Sequence, residues 1–518
     1  MSSTIRQTIS AIAASVTGRK QQSYETLAQD GDGARPLVPT QTGDRRITTR
    51  PVTLVLLAVL GLGMMVAGIF YFQLSSHLCD GVASGFQCQS NISHFWGQYS
   101  PYYTVPSNIS ADVPQSCTIT FVQILSRHGA RDPTARRTIQ YHDTIEHIQK
   151  TVDAKNYKGK YKFLGKYQYN LGADELSVFG QQQMVNSGIK FYERYQSLAK
   201  DVVPFIRSAG QRRVVESAQN FTQGFHSARA VDRDGSSSDS YPYGIVVIPE
   251  GPVFNNTLDH SLCEDFETGP SSKFSDAAKS IWANFFTPPI AERVNSALKG
   301  ADLDADGILN LMDMCPFDTV HDPAGAISPF CALFTADEWH AYDYYQSLNF
   351  YYGFGWGNPL GPTQGVGFTN ELIARMTQTP VNDHTSTNST LDNSSTTFPL
   401  GDEVKLYADF SHDNDLTGIF AALGLYNATQ PLSNTTLQTI EETRGYSASW
   451  SVPFASRAYF EKMACAGQDE ELVRVVVNDR VLPLQTCQGD ELGRCRLSAF
   501  VDSLSFARSG GHWDMCFV

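Results

Sequence analysis

Thr118–Leu125 reads Thr-Ile-Thr-Phe-Val-Gln-Ile-Leu and runs without a break into Ser126-Arg127-His128-Gly129-Ala130-Arg131. The first eight residues are mostly β-branched or apolar, which predicts a buried strand. The six that follow put two arginines and a histidine around a glycine, whose missing side chain permits a tight turn and a close backbone approach. Open α/β sheets bind ligands at the carboxyl ends of their strands, where this loop falls. A second unit repeats the plan: Leu406–Ala408 predicts a strand, His412-Asp413-Asn414 lies beyond it, and Leu416–Leu423 reads as helix. Val473–Val477 predicts another strand, and Phe179–Leu198 and Ile290–Leu298 predict helices. Strands and helices alternate at both ends of this region around a helix-rich block. That pattern predicts an α/β fold with an inserted, mainly α smaller domain at about 170–330.

Phosphate-ester chemistry gives these residue types a purpose. An anionic phosphomonoester repels an anionic nucleophile, whereas a neutral imidazole with its other ring nitrogen hydrogen-bonded can attack phosphorus. Forked guanidinium groups suit the phosphoryl oxygens. An acid opposite the nucleophile then protonates the departing oxygen. Taken singly, each motif has a plainer reading. Arg127–Arg131 also reads as an exposed basic loop, and Asp413 or Asn414 as a helix N-cap. Two strand-end loops, one with Arg/His and one with His/Asp, argue together for the chemistry.

The net charge of −14 argues against a nucleic-acid partner, because phosphate backbones recruit basic faces. The charge is uneven: residues 1–50 carry +3 and leave −17 for the rest, so an anionic substrate needs a local basic pocket. Residues 1–50 are rich in Ser, Thr, Gln, Gly and Pro without apolar periodicity and predict a disordered cytosolic tail. Val52–Phe72 has no charged residue and would span about 31 Å as a helix. With Arg45, Arg46 and Arg50 just before it, residues 51–73 predict one transmembrane signal-anchor preceding the catalytic fold, its bulk extracellular or lumenal. Cleavage near Ser75–Ser76, giving a secreted protein, is the alternative.

Ten cysteines, none before residue 79, and eight Asn-x-Ser/Thr sequons predict five disulfides and glycosylation in an oxidising compartment. The sequons lie at Asn91, Asn108, Asn220, Asn255, Asn388, Asn393, Asn427 and Asn434. Residues 74–116 read as a disulfide-stapled lead, and 117–518 as the catalytic region. Asp302-Leu-Asp304-Ala-Asp306-Gly307 begins like a calcium-binding loop, but its twelfth position is Asp313 and Cys315 follows closely, so a polar turn between helices is the better reading.

Arg127-His128-Gly129-Ala130-Arg131-Asp132-Pro133-Thr134 resembles the RHGxRxP signature of the histidine acid phosphatases, and Ser411-His412-Asp413-Asn414 resembles their HD motif. Ile206–Val214 is similar to the segment that supplies a further phosphate-binding arginine, here Arg213. The resemblance is greatest to the filamentous-fungal phytases, which hydrolyse inositol hexakisphosphate. It runs from about Cys79 to Val518 and includes Tyr169–Asp174, Leu311–Cys315, Asn358–Gly367 and Phe506–Gly511. It implies a phosphoglycerate-mutase-like mixed α/β sheet domain, and neither a cofactor nor a metal. His128 would be the nucleophile and Asp413 the proton donor, with Arg127, Arg131, Arg213 and His412 holding phosphate. Asp313 would lie in the substrate pocket. The implied disulfides are Cys79–Cys88, Cys117–Cys465, Cys263–Cys516, Cys315–Cys331 and Cys487–Cys495. Two departures stand out. Asp132 occupies a position where typical members carry Tyr. Asn349 and Phe350 occupy the place of a lysine pair that holds outer phosphates, which weakens the implied preference for phytate over other organic phosphates.

Overall fold

The computed structural model describes residues 79–235 and 240–518. Eight strands form one mixed sheet: β1 (Cys117–Arg127), β2 (Phe205–Ala209), β3 (Val246–Ile248), β4 (Leu406–Ser411), β5 (Arg457–Cys465), β6 (Leu472–Val477), β7 (Arg480–Leu482) and β8 (Arg494–Arg496). The order is β3-β2-β4-β1-β5-β6-β7, with β8 also on β6. The β3-β2-β4-β1 half is parallel and the rest antiparallel. All six residues of β4 and all six of β6 are buried. This explains their near-continuous apolar runs, since strands covered on both faces lose the polar alternation.

The principal helices are α1 (Ala135–Thr151), α2 (Val178–Arg194), α3 (Arg212–Val231), α4 (Phe274–Ala297), α5 (Ala305–His321), α6 (Ala336–Gly353), α7 (Val366–Thr377) and α8 (Asp413–Ala422). Consecutive strand residues face opposite sides. On β5, Tyr459 meets Phe191 of α2 at 6.1 Å between ring centroids, and Phe460 meets Phe368 of α7 at 6.3 Å. Helices therefore cover both faces. A second apolar core lies among α1, α4, α5 and α6, where Tyr141 packs on Phe317 and Trp282 on Tyr344. The stretch 170–330 contributes to both cores: β2, β3, α2 and α3 belong with the sheet, while α4 and α5 build the helical one.

One part of the expected architecture is corrected. Among the described residues no helix is long and apolar enough to cross a membrane, so what the structure shows of the expected fold is the mixed α/β sheet with its helical domain. Val52–Phe72 and the 1–50 tail lie outside the described residues. The ten cysteines form five disulfides, Cys79–Cys88, Cys117–Cys465, Cys263–Cys516, Cys315–Cys331 and Cys487–Cys495. Cys117 and Cys465 are register partners that tie β1 to β5 at the end of β1 remote from the Arg127 loop. The eight sequon asparagines are all exposed or half-buried. Asp304 N-caps α5 by accepting the Gly307 N–H at 2.9 Å. The Asp302–Gly307 run is thus the start of a helix, because residues from Ala305 onward are already helical where a calcium loop must stay open.

Candidate active site

The parallel pairing of β1 with β4 sets Arg127 opposite Ser411, so the two strand-end loops leave the sheet side by side. The His128 N–H donates to the Ser411 carbonyl at 3.1 Å, and the His128 and His412 rings lie 5.5 Å apart at 70°. The loop after β1 is held from several directions. Ser217 Oγ of α3 accepts the Gly129 N–H at 3.1 Å, and Gln183 Oε1 of α2 accepts the Ala130 N–H at 3.0 Å. The Ala455 N–H donates to the His128 carbonyl at 2.9 Å.

His128 is 1% exposed. Its Nδ1 lies 2.8 Å from the Gly129 carbonyl, which can only accept, so Nδ1 carries the proton and Nε2 keeps a free lone pair. Burial, then Arg127, Arg213, Arg131 and His412, hold its pKa well below the usual imidazole range. A protonated ring would add a charge to an already cationic, desolvated cluster. The ring is therefore held neutral against the ordinary tendency of an imidazole to take up a proton.

Asp413 begins α8, and one of its carboxylate oxygens lies 2.7 Å from Arg127 Nη2. Burial alone would raise its pKa, but Arg127, then Arg131, His412 and Arg213 hold it below the usual carboxylate range. Arg127 also donates to the Gln98 and Val452 carbonyls and sits 4.5 Å over the Phe454 ring. Arg131 donates to the Asp132 carbonyl at 2.8 Å, and Arg213 lies 3.7 Å from Asp174. Burial and mutual repulsion bring Arg127 and Arg213 down to about 10. The Nε atoms of Arg127, Arg131 and Arg213 are buried and have no hydrogen-bond partner among the described residues. Three unsatisfied guanidinium edges around one neutral imidazole make an anion-binding cradle.

Other expected pocket residues are less exposed to substrate. Asp313 is buried within α5 and accepts from Tyr141 at 2.7 Å, from Tyr342 and from Arg137. Asn349 on α6 accepts from Ser275 at 2.7 Å. Phe350 is 1% exposed and packs in the sheet core, 5.9 Å from Phe354. Neither offers a cation. Asp132 turns to His321 at the end of α5, 3.3 Å away. Sequence reasoning missed Glu250, which follows β3, accepts the Gln211 N–H at 2.8 Å and lies 3.2 Å from His412 Nε2. Its signal was an acid just past a strand end, hidden because β3 is only three residues long.

A model of the histidine phosphatase superfamily, branch 2, matches residues 118–478, and the chain belongs to that family. It is 53% identical over 444 residues to phytase A of Aspergillus oryzae, covering 85% of this chain and 94% of that one. It is 52% identical over 446 residues to phytase A of Aspergillus fumigatus, with the same coverage. Among solved structures, the phytase from D. castellii superposes with a TM-score of 0.65 at 23% identity, over 81% of this chain and 86% of that one. The Bifidobacterium longum multiple inositol polyphosphate phosphatase, in complex with inositol hexasulfate, gives 0.57 at 16% identity, over 79% and 97%. These two likenesses are of fold.

Proposed function

We propose that this protein is an acid phosphomonoesterase that releases phosphate from inositol hexakisphosphate through a phosphohistidine at His128. The observation that carries the reading is the His128 ring, with Nδ1 engaged by Gly129, among three guanidinium groups and Asp413. The relatives named phytase A supply the substrate class.

Arg127, Arg131, Arg213 and His412 hold the phosphoryl oxygens. The Nε2 lone pair of His128 attacks phosphorus in line, a P–N bond forms, and the P–O ester bond breaks. Asp413 gives its proton to the departing alkoxide. The bound phosphate offsets the arginine charge that keeps Asp413 ionised in the free site, so the acid regains its proton in the complex. Water then attacks the phosphohistidine and gives a proton back to Asp413. The P–N bond breaks and inorganic phosphate leaves. The five disulfides support a working place outside the reducing cytosol, where the eight sequons would be glycosylated.

Phosphate release by the purified protein, from phytate and from a simple aryl phosphate at pH 2.5 to 7, tests the reading. His128→Ala should lower either activity by about 10³-fold or more. Activity that survives this substitution refutes the nucleophile, and no release from either ester refutes the function. Release from the aryl ester alone would favour the second reading, a broad acid phosphatase. Asn349 and Phe350 support that alternative by offering no charge to outer phosphates.

A further inference from the structure

Asp415 is a buried carboxylate that the mechanism above does not use. It is 5% exposed, and its Oδ1 has no hydrogen-bond partner among the described residues. It lies three residues beyond His412, the N-cap of α8, and positions three apart share a helix face. It is thus one helical turn from His412, while Asp413 is engaged with Arg127. The other charged groups around it are accounted for. Glu250 is held by His412 and the Gln211 N–H. Asp259 accepts from the Gly251 N–H and from Ser261. His260 is paired with Glu267 at 2.6 Å. Asp415 is the acid left over, and His260 and His412 are the histidines whose charge acts on it.

We propose that Asp415 sets the affinity of the pocket for phosphate, acting at His412: uncharged in acid it lets the cradle hold anions, and once ionised it weakens that hold. Burial, opposed by His260 and His412 and reinforced by Asp259 and Glu250, pushes Asp415 up to about 6. His260 is also pushed up, to about 9: burial alone would lower it, but Asp415, Glu267 and Asp259 outweigh burial. In acid, His260 pairs with Glu267, His412 faces Glu250, and Asp415 adds no charge. Above about pH 6 a carboxylate appears one helical turn from His412. In a low-dielectric site that charge repels an anion more strongly than it could in water. The inference rests on the phosphomonoesterase reading and adds an alkaline boundary to it that acts on binding.

Steady-state kinetics with phytate and with an aryl phosphate from pH 4 to 7.5 test this, with inorganic phosphate as a competitive inhibitor. In the wild type, KM and the phosphate inhibition constant should both rise above pH 6. Asp415→Asn should leave both nearly unchanged at pH 4.5 and lower both about three- to tenfold at pH 7. Asp415→Ser, smaller and equally uncharged, should do the same, and thermal melts should show that both variants are folded. An active wild type whose KM and phosphate inhibition constant stay flat with pH overturns the inference alone. Folded variants that keep the wild-type rise also overturn it. A wild type without phosphatase activity instead overturns the function on which it rests.

Discussion

At the scale of the residue, the proposed catalysis depends on two protonation states that burial and charge set in opposite senses. His128 is kept neutral by desolvation and by the arginines. The same arginines hold Asp413 ionised until a phosphate arrives. Asp413→Asn keeps the shape and removes the transferable proton. Its effect should therefore depend on the leaving group. An alkyl ester such as phytate should lose about 10²- to 10⁴-fold in kcat, and an aryl phosphate, whose phenolate departs unaided, far less. Equal losses on both esters, measured side by side, would show that Asp413 does not protonate the leaving oxygen. Asp132 gives a second case. Its carboxylate would repel anions next to Arg131, yet it is turned to His321. His321→Ala should release it and raise KM for phytate several-fold with kcat little changed. A KM at or below the wild-type value would show that the pair does not shield the substrate.

At the scale of the element, the site is a contact between the β1 loop and the first turn of α2. A Cβ on Gly180 would lie 1.9 Å from the Ala130 carbonyl oxygen, and one on Gly129 would lie 2.3 Å from the Gly180 oxygen. Both obstacles are backbone, so no side-chain rotation relieves them. Gly180→Ala should destabilise the fold by about 1–3 kcal/mol and, by displacing the nucleophile loop, cut kcat by up to about 10²-fold. Gly244→Ala, where a Cβ meets nothing within 4 Å, is the control expected to change neither. Urea melts and initial rates on the two variants check this. These contacts also show what sequence can disclose. The units β1–Arg131 and β4–α8 were legible because strand, loop and ligand-holding residues are contiguous. The helix expected at Phe179–Leu198 was legible from its own apolar period, and in the structure it runs Val178–Arg194. Ser217, Gln183 and Glu250 were not legible, because each reaches the site, the first two at the β1 loop and Glu250 at His412, only after distant segments pack. The part of α4 from Phe274 to Pro289 was missed for a local reason: Pro288 and Pro289 lie inside the helix and read as a break.

At the scale of the whole molecule, buried acids tie stability to pH. Burial pushes Asp80, Asp343 and Asp415 up to about 6 and Asp392 up to about 7. In the unfolded chain such groups ionise near 4, so their contribution is complete below that value and is lost as pH rises through 6 to 7. Opposing groups act at lower pH. Against burial, the Arg127 and Lys190 charges hold Asp413 and Asp479 low, and Arg207 holds Asp409 low. Their contribution is present above about 4 and disappears as pH falls through their depressed values. His128, neutral and buried, favours the fold above the ordinary imidazole range and loses that contribution as pH falls. The two sets of carboxylates cross between about pH 4 and 6. The Tm should therefore peak in that interval and decline toward pH 8. The double variant Asp343→Asn with Asp415→Asn should flatten the decline while leaving the acid side unchanged. A Tm that climbs steadily to pH 8 in the wild type, or an equal alkaline decline in the double variant, would show that these acids do not set the stability of the fold.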